Sequence, residues 1–354
     1  MMLRLLILDI LLLIATAAWA EKKDDIGRFR RTVRGFSAID TNYIEPQHYD
    51  FTVMFQSTYT YDIYRLSNSD RSQSFTFAPD GSLKVGPYIG WRWFFFGYTI
   101  DLRNIDFKRK NPLQQIDFSI YSSQIGVDIF YRRTGDDYKI RNARVGNYVD
   151  GHPLNGLPYN GISVGITGAN LYYIFNHKRF SYPAAFSQST CQKLSCGSWM
   201  LGVGYMRNSL NVDYDQLQQM MDDRLSLPVK LDTALRISSV KYHDVNVSGG
   251  YAYNWVFARN CLLCASASLA LAYKYSRGDN EKSEGGFNFN NVNLDAVGRF
   301  AIVYNNTRWY AGASSVLHSY NYRKSRFAAS NLFGSLNVYI GYNFGLKKGY
   351  RKKR

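Results

Sequence analysis

A search for catalytic chemistry starts with the five histidines, His48, His152, His177, His243 and His318, as the natural general bases. Only His318 adjoins a hydroxyl nucleophile, Ser319. Adjacent residues of a strand point to opposite faces, so His318 cannot activate Ser319 there, and packing in a lumen or at an interface is its expected role. Glutamate is scarce on the strand-like segments, which leaves no carboxylate pair for glycoside hydrolysis. No catalytic residue, metal ligand or cofactor site is assigned. The four cysteines, Cys191, Cys196, Cys261 and Cys264, are candidate disulfide partners whose pairing is open. Cys261 and Cys264 would sit about 10 Å apart on one strand, too far to bridge each other. The spacing also disfavours zinc.

A second set of residues carries mixed charge: Lys84, Arg92, Asp101, Arg103, Asp128, Arg132, Asp295 and Arg299. Each falls among Gly, Ser, Asn and Ala at alternate positions, opposite an apolar row. Between 332 and 344 the apolar row is Leu332, Gly334, Leu336, Val338, Ile340, Tyr342 and Phe344, with Ser335, Asn337, Gly341 and Asn343 between them. A period of two means β-structure with one face in an apolar medium and the other near water. The charged set then lines a lumen, either as a water-filled pore or as a plugged interior stitched by ion pairs.

The same alternation recurs at 49–61, at 74–93 with an interruption at Pro79-Asp80-Gly81, and, after a reversal at 94–96, at 98–102. Further segments are 116–121, 125–131, 162–175, 197–212, 241–256, 261–276, 288–304, 308–321 and 327–346. Residues 104–115 and 133–160 read as loops, the second long, polar and glycine-rich. The sum is an all-β, antiparallel transmembrane β-barrel of about twelve strands, with short turns on one side and longer loops on the other. Aromatic residues make up 16% of the chain, yet the mean hydropathy is −0.30. Membrane barrels combine these values because lipid-facing and lumen-facing residues average out; a secreted β-sandwich is the competing fold.

Residues 1–20 read as a cleaved signal peptide, with Arg4, an apolar run over 5–14 and the small-residue site Ala18-Trp19-Ala20. A periplasmic segment (21–48), the barrel (49–346) and a basic tail (347–354) follow, placing the protein in the outer membrane of a Gram-negative bacterium. The formal net charge is +16. Much of it sits in Arg28, Arg30, Arg31 and Arg34 and in Lys347, Lys348, Arg351, Lys352, Lys353 and Arg354. Export takes the chain away from nucleic acid, leaving outer-membrane lipid, lipopolysaccharide and anionic cell-wall polymers as acidic partners. The barrel assembly machinery, which reads a terminal aromatic strand, is a further expected partner, although ten residues follow Phe344.

Several stretches carry a family resemblance. They are Asp40-Thr41-Asn42-Tyr43-Ile44-Glu45-Pro46, Gly86-Pro87-Tyr88-Ile89-Gly90-Trp91-Arg92-Trp93, Tyr131-Arg132-Arg133-Thr134-Gly135 and the run from Phe180 to Ser189. Together they resemble a Bacteroidetes family of secreted, barrel-like proteins known as domain of unknown function 4421. The resemblance implies an outer-membrane location and supplies no activity. The irregular stretch with Tyr182, Pro183, Phe186, Ser187 and Gln188 is either a plug or constriction, or a longer periplasmic turn. The expected function is a passive small-solute channel or a structural envelope protein. The alternatives are an outer-leaflet lipid- or lipopolysaccharide-modifying enzyme and a binding or assembly module using the basic tails.

Overall fold

The computed structural model describes residues 39–91, 94–102, 114–133, 137–146, 148–235, 239–276, 291–323 and 327–350. The signal-peptide assignment, most of the N-terminal segment and the last four residues of the tail lie outside these.

Among the described residues, seventeen strands form in two sheets. The chain enters through β1 (Ile44–Pro46), then β2 (Tyr49–Asn68), β3 (Gln73–Pro79) and β4 (Ser82–Trp91). Short pieces β5 (Phe94–Gly97) and β6 (Ile100–Asp101) precede β7 (Gln114–Tyr121), β8 (Ile125–Arg133), β9 (Tyr138–Val145) and β10 (Ile162–Ile174). After β11 (Thr190–Gln192) the long strands follow: β12 (Cys196–Val212), β13 (Ser239–Ala258), β14 (Cys261–Ser276), β15 (Val292–Asn305), β16 (Trp309–Arg323) and β17 (Phe327–Leu346). Twelve of them lie on one antiparallel path, β5-β4-β2-β17-β16-β15-β14-β13-β12-β10-β8-β7. β17 pairs with β2, with Phe344 opposite Phe51, so the last long strand meets the first. The sheet is not closed: among the described residues its ends, β5 and β7, do not pair.

The sheet curls onto one face. Phe130 on β8 contacts His318 on β16 and Phe333 on β17, with ring centroids 5.8 and 6.0 Å apart. These strands are far apart along the path, so only the curl brings them together. The outer face keeps the apolar row exposed. On β13 it runs through Val245, Val247, Tyr251, Tyr253 and Trp255, and β12 adds Trp199, Leu201 and Val203. From Val245 to Trp255, a strand tilted by about 40° covers roughly 26 Å, the height of a bilayer's apolar band. Trp199, Trp255, Trp309 and Trp91 cluster near the end that bears the short turns.

Those turns follow from local chemistry. Between β13 and β14, Asn260 takes a left-handed φ of 62°, which asparagine tolerates. Between β15 and β16, Asn306 Oδ1 accepts from the amides of Arg308 (3.1 Å) and Trp309 (2.7 Å). At Gly341 the missing Cβ makes room for the Tyr310 ring, which would otherwise lie 2.1 Å away.

Two expectations are corrected. The reversal leading to 98–102 lies before Phe94, and the strand there is broken into β5 and β6. Pro87 in β4 has no N–H to donate, so between the Tyr88–Gly97 and Val85–Ile100 pairs it contributes only its carbonyl, which accepts from the Tyr98 amide (3.2 Å). Residues 133–160 are not all loop: β9 pairs with β3. Opposite Thr76 and Phe77 of β3, β9 carries one extra residue, Arg141, so its apolar residues change phase there and hide the period of two. The connection after β12, one of the longer loops expected on that side, holds a helix α2 (Tyr214–Arg224) capped by Asp213, whose side chain accepts from the Gln216 amide. Only Leu217 and Met221 of that helix are buried, too narrow a stripe to stand out in sequence.

Val247→Arg tests the outward face. A cation at mid-belt is expected to cost about 2–4 kcal/mol in lipid, read as a lower urea midpoint in vesicles. An unchanged midpoint would place Val247 outside the apolar medium.

Candidate functional site in the barrel interior

The buried face of the sheet holds three layers. At the end bearing the short turns, residues 175–195 fold inward rather than round a plain turn. Ser181 caps a short helix α1 (Tyr182–Phe186), accepting from the Ala184 amide, with Pro183 in its first turn. Tyr182 is fully buried, and its hydroxyl donates to Ser266 Oγ on β14 (2.8 Å). Its ring lies 5.7 Å from Tyr121 and 5.9 Å from Tyr172. Ala184 and Ala185 pack on Leu262, Cys264, Ala301 and Val303. Gln188 Nε2 donates to Tyr339 Oη on β17 (2.6 Å), and Asn254 Nδ2 on β13 to the Ser181 carbonyl (2.8 Å). Phe186 sits 4.9 Å from Tyr182, while Ser187 Oγ donates back to the Pro183 carbonyl (3.2 Å). The segment therefore reaches β7, β10, β13, β14 and β17 as a plug. β11 follows it and pairs with β1, tying the N-terminal segment across the same end.

The middle layer is ionic. Lys274, fully buried on β14, stands 3.1 Å from Asp244 of β13 and 2.9 Å from Asp295 of β15. Its Nζ also donates to the Asn321 carbonyl (2.7 Å), and the Asn321 amide donates to Asp295 Oδ1 (2.8 Å). Rings of Tyr242 and Tyr320 flank the ammonium at 6.0 and 5.9 Å. Arg299 on β15 reaches across the interior to Asp128 on β8, which also accepts from Ser119 Oγ (2.7 Å). Arg132 lies over the Phe333 ring at 4.2 Å. A cavity of about 40 Å³ remains among Asp128, Asn170, Ser248, Ser268, Asp295 and Arg299. It has room for a few water molecules and no organic solute.

The layer at the opposite end is apolar. Tyr138 and Ile140 of β9, Phe75 and Phe77 of β3, and Leu217 and Met221 of α2 form one buried cluster with Ile162, Val164 and Ile166 of β10. At its lip Asp80 pairs with Lys139 and Arg141 of β9, both at 2.6 Å. Hydrogen bonds from these two cations hold its carboxyl below the ordinary value of 3.8.

Of the eight charges assigned from sequence, Asp128, Arg132, Asp295 and Arg299 are buried on the inner face. Lys84 is half-buried and faces Asp101 in register, and Asp101 accepts from Ser82 Oγ (2.7 Å). Arg92 and Arg103 lie outside the described residues. The plug residues Tyr182, Pro183, Phe186, Ser187 and Gln188 come together at one end. Cys191, Cys196, Cys261 and Cys264 are all free thiols. His318 is buried on the inner face, stacked on Phe333 at 4.9 Å, with Nδ1 3.2 Å from Tyr320 Oη. Lys347, assigned to a basic tail, turns inward: its Nζ donates to the Gln47 carbonyl (2.7 Å).

Sequence reasoning missed Lys274 and Asp244, which carry the ionic layer. A signal was present: both share the parity of the small inward residues Ser266, Ala270 and Ala272 on β14 and Ala252 on β13.

Curl, outward apolar belt and inward polar row define a β-barrel of the membrane type. The chain belongs to the family described as Domain of unknown function (DUF4421), whose model matches residues 38–344. Among solved structures, the outer membrane protease OmpT from Escherichia coli is 9% identical, with 83% of this chain and 97% of that one covered, at a TM-score of 0.34. The translocator domain of the autotransporter NalP from Neisseria meningitidis is 13% identical, with 93% and 97% covered, at 0.31. The toluene transporter TodX of P. putida is 7% identical, with 84% and 91% covered, at 0.21. Likeness at this level carries no argument about this chain. No curated protein matches it.

Lys274→Met strands two buried carboxylates and is expected to cost about 3–5 kcal/mol, whereas combining it with Asp244→Asn and Asp295→Asn restores most of that loss. Thermal unfolding in detergent checks both. For Asp80, a carboxyl value lower in the folded state contributes stability above the unfolded value, lost as pH falls through the folded one. The stability difference between wild type and Asp80→Asn is therefore expected to hold at pH 6 and shrink below about pH 4; a difference independent of pH would remove the ion pairs from the account.

Proposed function

We propose that this protein is an integral outer-membrane barrel with a filled interior, a structural element of the envelope and not an open solute channel. The observation that carries this reading is the continuous occupation of the inner face: plug, ionic layer and apolar core succeed one another along the strands. Two cavities among these layers hold about 40 and 20 Å³. A hydrated small solute needs a continuous path several ångströms wide, and side chains from opposite walls are in contact at each level. The ion pairs fit this role. Opposite charges enclosed by a low-dielectric shell must pair with one another, and Lys274, Asp244 and Asp295 do so within one sheet.

Location follows from the outer face. An apolar belt of bilayer height, a tryptophan-rich rim and short turns at the end where β2 starts and β17 ends support an outer-membrane span with that end in the periplasm. The adjacent histidine and serine of β16 are not joined in a way that would favour a lipid-modifying enzyme: His318 points inward, and Ser319 takes the opposite face.

Planar-bilayer recording tests the reading. Purified protein that inserts, shown by protease protection in vesicles, is expected to give no conductance steps. Stable single-channel steps from the wild-type protein would overturn it in favour of a pore.

A further inference from the structure

Beyond the apolar belt, on the side away from the short turns, the outer wall changes character within two rungs of the sheet. On the first rung Tyr131 of β8, Thr167 of β10, Arg207 of β12, His243 of β13 and Tyr275 of β14 are consecutive register partners. On the next, Arg133, Gly165, Ser209 and Lys241 follow one another across β8, β10, β12 and β13. Arg133, Arg207 and Lys241 are exposed. Neither rung contains a carboxylate. Immediately below lie Val203, Val245, Val247 and Leu271, all exposed and apolar.

The patch is also ordered. His243 Nδ1 is 2.7 Å from Tyr205 Oη, and its ring stacks on Tyr275 with centroids 5.1 Å apart and planes at 12°. Tyrosines at this height belong at the headgroup level, where an amphipathic ring keeps its body in the apolar band and its hydroxyl in water. Three cations and a histidine then stand over four neighbouring strands, about 15 Å of wall at the usual strand spacing. The Tyr131-Arg132-Arg133 run contributes to both faces: Arg132 is buried in the interior and Arg133 is exposed.

We infer that this patch on β8, β10, β12 and β13 binds the phosphate groups of lipopolysaccharide in the outer leaflet. The inference rests on the outer-membrane reading, which puts this rim at the outer surface. Charge complementarity carries it. Cations directly above an apolar belt, on two rungs that hold no carboxylate, meet the anionic headgroups of the lipid whose chains cover that belt, and arginine offers two parallel N–H donors to phosphate. The contacts are ionic and hydrogen-bonded only, so nothing is transferred.

The test uses the full mature protein in detergent micelles, with intact lipopolysaccharide and the same material after enzymatic dephosphorylation. Wild type is expected to bind the intact form more tightly. Arg207→Gln with Lys241→Gln is expected to weaken that binding by about five-fold for each cation removed, the ratio that roughly 1 kcal/mol per basic residue at an anionic surface implies. Arg65→Gln removes an exposed cation from β2, outside the patch, and is expected to leave affinity unchanged. Equal affinity for the two forms of lipopolysaccharide, or an equal loss with Arg65→Gln, would overturn the site. A protein that fails to insert into bilayers would instead overturn the membrane reading beneath it, and protease protection of each variant separates the two failures.

Discussion

Register is the constraint on which the structure rests. In a strand each step of one residue exchanges the faces, so a slip of one position between β13, β14 and β15 would turn Asp244, Lys274, Asp295 and Arg299 into lipid and bring Val247, Leu271 and Leu294 inside. Ion-pair partners and apolar belt are two consequences of one phase. The ladders from β12 to β17 and on to β2 keep that phase over most of their length, with an irregularity at Val256 and Ala258 where β13 reaches its short turn.

The interior then answers a problem the wall creates. A curled sheet with polar residues inside must either admit water or fill itself, because unpaired polar groups in a dry interior are costly. This chain fills itself by different means at each height. Apolar side chains fill the end away from the short turns, where β9 and α2 lie in the long connections. Charges pair in the middle, and at the end bearing the short turns Tyr182 and Gln188 are hydrogen-bonded to the wall. The plug is tied to residues 44–46 through the pairing of β1 with β11.

Long strands were legible because lipid and lumen impose opposite demands on successive residues. Phe51, Val53 and Phe55 against Thr52, Met54 and Gln56 announce β2 without any knowledge of its partners. Where a second demand overrides the first, the pattern fails. Pro87 removes a donor from β4, an extra residue at Arg141 shifts β9 against β3, and α2 buries only two side chains, so each of these was misjudged or unseen. Four of the interior charges could be placed by parity. Lys274 was overlooked because it stands between Tyr273 and Tyr275 near a strand end, where a lysine looks solvent-bound.

By itself the sequence determined the class of fold, the two faces of each long strand and the rows to which most interior charges belong. These are local properties, set by a period of two that needs no tertiary partner. Only the tertiary structure decided that the lumen is filled, that Lys274 joins Asp244 to Asp295, that Arg299 finds Asp128 across the interior, and that Tyr182 enters between the walls. Each of those facts depends on the curl that sets distant strands face to face, and pairing across that space has no counterpart in the spacing of residues along the chain.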